Sequence, residues 1–236
     1  MRPTLVLFDI DGTLLDTAGA GRLGLEASFR SVFGIHDIEE PVSRVRFGGK
    51  TDPTIIADIA RFAGIPAADV EARYTEIQAA YLAALRSELA APNPRRRVLP
   101  GVASLLARLA DRPDAFLGLI TGNVEEGARV KLDAFGLNHY FVDGGFSSDH
   151  PERGEIARIA HQKLSRRAGF RFPADRVMVI GDTELDVACA HVNGFRAIAV
   201  ASGSAPLEEL RSSGPDALFA DLTDVSAVLS AMGLAE

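Results

Sequence analysis

The sequence contains a single cysteine, Cys189, which excludes an internal disulfide, a thiolate zinc site and a CxxC redox pair. Its expected role is that of a small buried hydrophobe. No apolar run approaches the roughly 18 residues that cross a bilayer. Asp9 and Asp11 interrupt the apolar stretch nearest the start, so neither a membrane partner nor a signal peptide is expected, and a cytoplasmic location follows. Positive charge is in short supply: 25 Lys and Arg stand against 32 Asp and Glu, a formal charge of −7. A nucleic-acid partner is therefore not expected, because phosphate backbones need clustered cations. The one basic run, Arg95-Arg96-Arg97, follows Pro92-Asn93-Pro94 and reads as a solvated linker. Internal repeats and low-complexity tracts are absent.

What is present is a chain of 236 residues, 47% apolar and 24% charged, enough for a full hydrophobic core. Residues 4–8, 116–121, 176–180, 196–201 and 217–220 are short β-rich apolar runs, with a weaker one at 140–143. Segments such as 124–135 and 155–168 lie between them with helical periodicity and charged outer faces. Alternation of this kind predicts an α/β fold, a Rossmann-like parallel sheet with helices on both faces. Residues 4–8 make the central strand, apolar because both its faces are buried.

The stretch from 17 to 96 differs. Val70, Tyr74, Ile77, Tyr81, Leu85 and Leu89 recur at helical spacing, as do Ile55, Ile56, Ile59 and Phe62, with no convincing strand between them. Turn-like "DTAGAG" and Pro92, Pro94 and Pro100 mark its ends. This predicts a helical module, residues 17–96, inserted into a core formed by 1–16 and 97–236.

Ligands of an open parallel sheet gather beyond the carboxyl ends of its strands. Four polar clusters follow predicted strands: Asp9 to Thr13, Thr121-Gly122-Asn123, Ser147 to Arg153, and Gly181-Asp182-Thr183 with Asp186. Carboxylates converging in one crevice repel one another unless a cation or proton is shared. A hard, oxygen-ligated metal, Mg²⁺ above all, resolves the conflict and keeps positions open for phosphate oxygens.

In "DIDGTLLD", "ITGN" and "GDTELD" the chain resembles the haloacid dehalogenase-like superfamily of hydrolases, nearly along its whole length. The resemblance implies that Asp9 is the nucleophile, forming an aspartyl phosphate, and that Asp11 is the acid and base. It implies Mg²⁺ held by the Asp9 side chain, the Asp11 carbonyl and Asp182, with Asp186 as a further ligand or outer partner. Gly12 lets the backbone turn beside the phosphate, and Gly12 and Thr13 are both expected to bind it. Thr121 offers a hydroxyl, and Gly122 and Asn123 offer N–H groups at a helix start; Thr121 as a plain helix cap is compatible with this. The family's third motif is a lysine, less often an arginine, after the third core strand. Here Gly144-Gly145 leads to Arg153, which keeps the charge and adds a bidentate fork. Lys163 is the fallback, and His150 in the same loop either reaches the site or lies on the surface.

The helical module corresponds to the family's inserted α-helical cap, which closes over the crevice and selects the substrate. In "RFGGKTD", Arg46 and Lys50 either meet the non-reacting end of an anionic substrate or belong to a solvated turn. The function implied is that of a Mg²⁺-dependent phosphatase acting on a small phosphorylated metabolite, similar to the phosphoglycolate phosphatase branch. Asp11 and Thr13 argue against a 2-haloacid dehalogenase, and Asp11 argues against a phosphonoacetaldehyde hydrolase, for which Lys50 is otherwise suggestive. A sugar-phosphate mutase of the β-phosphoglucomutase type stays open. A non-enzymatic receiver module is about half this length and has no inserted cap.

Overall fold

The computed structural model describes residues 3–235. Its first strand, β1 (Thr4–Phe8), is buried at every position. Side chains alternate across a strand. Val6 and Phe8 therefore enter one apolar cluster with Leu105, Leu106 and Leu132, while Leu5 and Leu7 enter another with Ile156, Ala160 and Val187. Both faces of the sheet are covered, so a continuous apolar run is what a central strand requires here.

The chain then forms β2 (Leu15–Asp16), five helices α1 (Ala20–Phe33), α2 (Glu39–Ser43), α3 (Asp52–Phe62), α4 (Ala67–Ala72) and α5 (Tyr74–Ala90), and β3 (Arg97–Val98). The remaining strands are β4 (Ala115–Ile120), β5 (Gly144–Gly145), β6 (Val177–Gly181), β7 (Arg196–Val200) and β8 (Ala217–Phe219). Between and after them come α6 (Val102–Ala110), α7 (Glu125–Ala134), α8 (Arg153–Ala168), α9 (Glu184–Val192), α10 (Leu207–Ser212) and α11 (Val225–Ala231). The main sheet has the order β5-β4-β1-β6-β7-β8 and is parallel throughout. The chain builds outward from β1 on one side, then crosses to β6 on the other. This makes the β1/β6 edge the point where strand order reverses and a crevice opens. Phe8 pairs with Leu119 on one flank and Ile180 on the other, so the residues after β1, β4 and β6 emerge at one level.

The helices of 20–90 share their own apolar cluster, built on Leu25, Phe29, Ile56, Ile59, Ile77, Tyr81 and Leu85. Gly24 lets α1 lie against α5, since a Cβ there would stand 3.1 Å from the Tyr81 ring. Val124, at the entrance to α7, joins the same cluster and ties this unit to the sheet. No helix among the described residues is long and apolar enough to cross a membrane.

Three local readings change. The weak run at 140–143 is not a strand. Residues Asn138–Tyr140 form a 3-10 turn and the pairing falls on Gly144-Gly145. Both glycines are sterically required, because a Cβ on Gly144 would lie 2.6 Å from Leu119 and one on Gly145 2.4 Å from the Ile156 carbonyl. The two-residue strands β2 and β3 pair Leu15 with Val98 and Asp16 with Arg97, too briefly to leave a periodic signal. Within the basic run, Arg96 is turned inward and donates to the carbonyls of Thr17, at 3.2 Å, and Ala91, at 2.7 Å, so it pins the root of the helical module rather than dissolving in solvent.

Candidate active site

Asp9 follows β1 directly, and its backbone N–H donates to the Ile180 carbonyl at 2.9 Å, which locks it beside β6. Gly12, with φ of +83°, then turns the chain back; a Cβ there would come within 2.4 Å of Asp182 Oδ2. Only glycine combines that backbone conformation with that approach. Asp182 follows β6 and accepts a hydrogen bond from Thr13 Oγ1 at 3.3 Å. Asp186, in the first turn of α9, closes a capping box: its Oδ2 accepts from the Thr183 N–H at 3.0 Å and from Thr183 Oγ1 at 2.6 Å. Arg153 opens α8 and is buried; its Nη2 stands 3.1 Å from Asp9 Oδ1 and also bonds Asp186 Oδ1. Its Nη1 donates to the Gly49 carbonyl of the helical module at 3.2 Å.

Oxygens of Asp9, Asp182 and Asp186 lie within 4.8 Å of one another, all three residues buried. Burial pushes the Asp9 carboxyl up to about 7; Arg153 opposes the rise, while Asp186 and Asp11 add to it. Asp182 is pushed well above the usual carboxylate range by burial, then by Asp9 and Asp186. One guanidinium does not offset this much buried negative charge, and a divalent cation with oxygen preference fits the donor set. Both Asp186 oxygens are already bonded to Arg153 and Thr183, so Asp9 and Asp182 hold the lone pairs best placed for direct ligation. Cys189 lies against this cluster with its thiol pushed up to about 12 by burial, which leaves it unreactive.

The loop after β4 builds the second wall. Thr121 Oγ1 accepts from the Asn123 N–H at 3.2 Å and from Asn123 Nδ2 at 2.7 Å, which leaves the hydroxyl proton to donate elsewhere. Asn123 Nδ2 also donates to Asp11 Oδ2 at 2.8 Å. Gly122 sits where a Cβ would lie 2.1 Å from the Lys50 carbonyl, so its lack of a side chain admits the helical module. The N–H of Asp52 donates to the Gly122 carbonyl at 2.7 Å, and Asp52 Oδ2 accepts from the Val124 N–H at 2.8 Å. Burial raises this carboxyl to about 6 against the pull of Lys131.

These groups surround a cavity of about 560 Å³ roofed by Arg22, Leu25, Phe47, Lys50, Ile55 and Tyr81. Asp9, Asp11, Gly12, Thr121, Gly122, Asn123, Arg153 and Asp182 all line it, as does Lys50, whose Nζ is bonded to Asp58 at 2.7 Å. Arg46 does not line it. Its guanidinium bonds Glu209 at 3.0 Å and Glu184 at 3.1 Å, fastening the module to α10 and α9 from outside. Lys163 is bonded to Asp149, and His150 Nδ1 accepts from the Glu152 N–H, both away from the cavity.

Three lining cations do not follow from the motifs: Arg97, paired with Asp16 at 3.2 Å, Lys131 and Arg22. Lys131, only 4% exposed, reaches Asp11 Oδ2 at 2.6 Å and Asn123 Oδ1 at 2.7 Å. A cation next to Leu132 and three residues past Ala128, on the apolar stripe of α7, is the sequence signal that marks it. Arg22 lies in the first turn of α1, directly after the segment "DTAGAG" that reads as a turn; its guanidinium carbon stands 4.9 Å from the Phe47 ring centroid.

A sequence model of the haloacid dehalogenase-like hydrolases matches residues 3–194. Among curated proteins, the chain is 30% identical to the "Probable phosphatase IndB" of Dickeya dadantii over 95% of its own length and 92% of the relative's. It is 28% identical to a phosphoglycolate phosphatase of Synechococcus elongatus, over 93% and 94% of the two chains. Among solved structures, a hydrolase from Pseudomonas syringae aligns with TM-score 0.72 at 20% identity, covering 99% of this chain and all of that one, a likeness of fold.

Proposed function

The chain belongs to the haloacid dehalogenase-like hydrolase family and is an enzyme of its phosphatase type; from that premise we propose that it is a Mg²⁺-dependent phosphatase hydrolysing a small phosphorylated metabolite through an aspartyl phosphate. The observation that carries the reading is Asp9 itself, bonded to Arg153, beside Asp182, and facing the same cavity as Asp11.

An Asp9 oxygen attacks phosphorus in line, so that an O–P bond to the protein forms as the bond to the ester oxygen breaks. Arg153 and the Thr121 hydroxyl take up the charge on the phosphoryl oxygens. Asp11 gives its proton to the departing oxygen, then takes one from the water that attacks the phosphoenzyme, releasing inorganic phosphate and restoring Asp9. Mg²⁺, held by Asp9 and Asp182 with the Asp11 carbonyl, would add neutralisation of phosphoryl charge when bound. The helical module excludes bulk water from the step. Its wall provides Leu25, Phe47, Ile55 and Tyr81 for the organic body of a substrate and Arg22 for a remote anionic group. The Lys50 ammonium is bonded to Asp58, whereas a Schiff base needs a free amine, so the geometry favours hydrolysis of an ester over phosphonate chemistry.

Purified protein is assayed against a panel of phosphorylated metabolites with and without chelator. Phosphate release that stops in EDTA, returns with Mg²⁺ and vanishes in Asp9→Asn is the expected result; undiminished turnover in excess EDTA overturns the reading.

A further inference from the structure

Lys131 is an expensive residue to place where it stands. Its side chain is buried on the inner stripe of α7, between Ala128 and Leu132, a position that an apolar residue fills without desolvating a charge. Nothing in the packing of that stripe calls for an ammonium group. Both its hydrogen bonds go to site residues: Asp11 Oδ2 at 2.6 Å and Asn123 Oδ1 at 2.7 Å. Asn123 in turn donates to the same Asp11 oxygen at 2.8 Å and to Thr121 Oγ1 at 2.7 Å. Oδ2 of Asp11 is thus held by two donors, while Oδ1 takes no hydrogen bond among the described residues and belongs to a side chain lining the cavity.

The helical module completes the arrangement. Gly21 of α1 faces the ammonium: a Cβ there would make ordinary contact with Lys131 Nζ at 3.4 Å and with the Tyr81 hydroxyl at 3.9 Å. Asp52 is seated on the loop from which α7 starts, and Lys131 pulls its buried carboxyl down against the rise that burial imposes. When the module is seated, the ammonium end of the pair is covered by protein, while the Asp11 carboxylate stays open on its cavity side.

We infer that Lys131 is a positioning residue: with Asn123 it anchors one oxygen of Asp11, so that the other is the oxygen that exchanges a proton with the ester and with water. This rests on the phosphatase reading and adds to it a residue outside the signature motifs. A proton donor contributes only when aimed at the atom it serves, so loosening Asp11 costs most where the leaving group needs a proton most.

The test is a double-mutant cycle of wild type, Lys131→Met, Asp11→Asn and the double variant, each measured in single turnover with an alkyl phosphate and with p-nitrophenyl phosphate. Lys131→Met keeps the length of the side chain and relieves a buried charge, and Asp11 is open enough to solvent to lose its partner cheaply. The melting temperature is therefore expected to hold or rise. Transfer from the alkyl ester is expected to slow by about ten-fold or more, and from the activated ester by much less. In the Asp11→Asn background the same substitution is expected to cost almost nothing, because its effect runs through Asp11. Equal slowing of the two esters, or losses that multiply in the double variant, overturn the inference while leaving the phosphatase intact. Absence of turnover of either ester by the metal-loaded wild type overturns the reading beneath it as well. Should the methionine variant fail to fold, Asn123→Ala removes the other donor and is held to the same leaving-group and additivity outcomes.

Discussion

Arg153 bonds Asp9 and Asp186 through one nitrogen, standing 3.1 Å from Asp9 Oδ1. Two buried carboxylates more than 170 residues apart in the chain are thereby held by a single guanidinium, itself fixed at the first position of α8. Asp9 and Asp186 hold that guanidinium firmly protonated although its burial works the other way. Positive charge is in place before any substrate arrives, which is the condition for electrostatic stabilisation without reorganisation.

Arg153→Ala is expected to lower kcat by a factor on the order of 10² to 10³, as for removal of one preorganised donor. It also leaves Asp9 and Asp186 without their counter-charge, so the melting temperature is expected to fall. Arg153→Lys retains the charge and loses the fork, and should stand between the two. Steady-state kinetics with thermal melting of all three proteins checks this; wild-type kinetics in the alanine variant would remove Arg153 from the reaction.

The acidic cluster sets a pH dependence of stability. A carboxyl whose folded pKa is raised binds its proton more tightly in the folded chain, so its contribution is present at low pH and is lost as pH rises from the unfolded value towards the folded one. For Asp9 that window runs from 3.8 to about 7, and burial places Asp52, at about 6, in the same sense. Metal-free protein is expected to melt at lower temperature at pH 8 than at pH 5.5, by an amount on the order of a few kcal/mol in stability. Mg²⁺ should reverse the loss, with a stabilisation that grows with pH because protons compete for the same oxygens. Melting curves across that range, with and without Mg²⁺, decide it; a metal increment independent of pH would count against ligation by these groups.

Arg22 lines the cavity and, among the described residues, makes no ion pair, whereas Lys50 is neutralised by Asp58 and Arg46 is spent on Glu184 and Glu209. Arg22→Ala is expected to raise KM about ten-fold for a phosphate ester carrying a second anionic group, in line with loss of one charge-assisted hydrogen bond. With p-nitrophenyl phosphate, which has no such group, KM should scarcely change. If Lys50→Ala produces the larger selective effect, recognition belongs to the loop of Lys50 instead.

Gly122→Ala tests the seating of the helical module. The added methyl group would meet the Lys50 carbonyl at 2.1 Å, and backbone cannot yield as a flexible side chain can. The module is expected to ride open, with a larger radius of gyration in small-angle scattering and reduced kcat, while the core sheet melts as before. An unchanged scattering profile with full activity would show that the loop adjusts without opening.

The acidic set was legible in the sequence because each member sits in a short segment that reports its own local structure. Asp9 and Asp11 end an apolar strand, Asp182 ends another, and Asp186 falls three residues into a helix that Thr183 caps. Parallel strands in register then bring such strand ends to one level whatever lies between them. The helical character of 17–96 was legible for the same reason, through the spacing of Ile77, Tyr81 and Leu85. The two-glycine strand β5 was not, since pairing there depends on the absence of side chains rather than on their pattern. Lys131 and Arg22 stand where they do because α7 and α1 are rotated by packing against Tyr81, Val124 and the sheet. Arg46 left the cavity because Glu184 and Glu209 happen to face it across the seam. Local sequence determines which groups end a strand or cap a helix; which face of a helix meets a cavity, and which of several cations is left without a partner, is settled only when distant apolar surfaces close on one another.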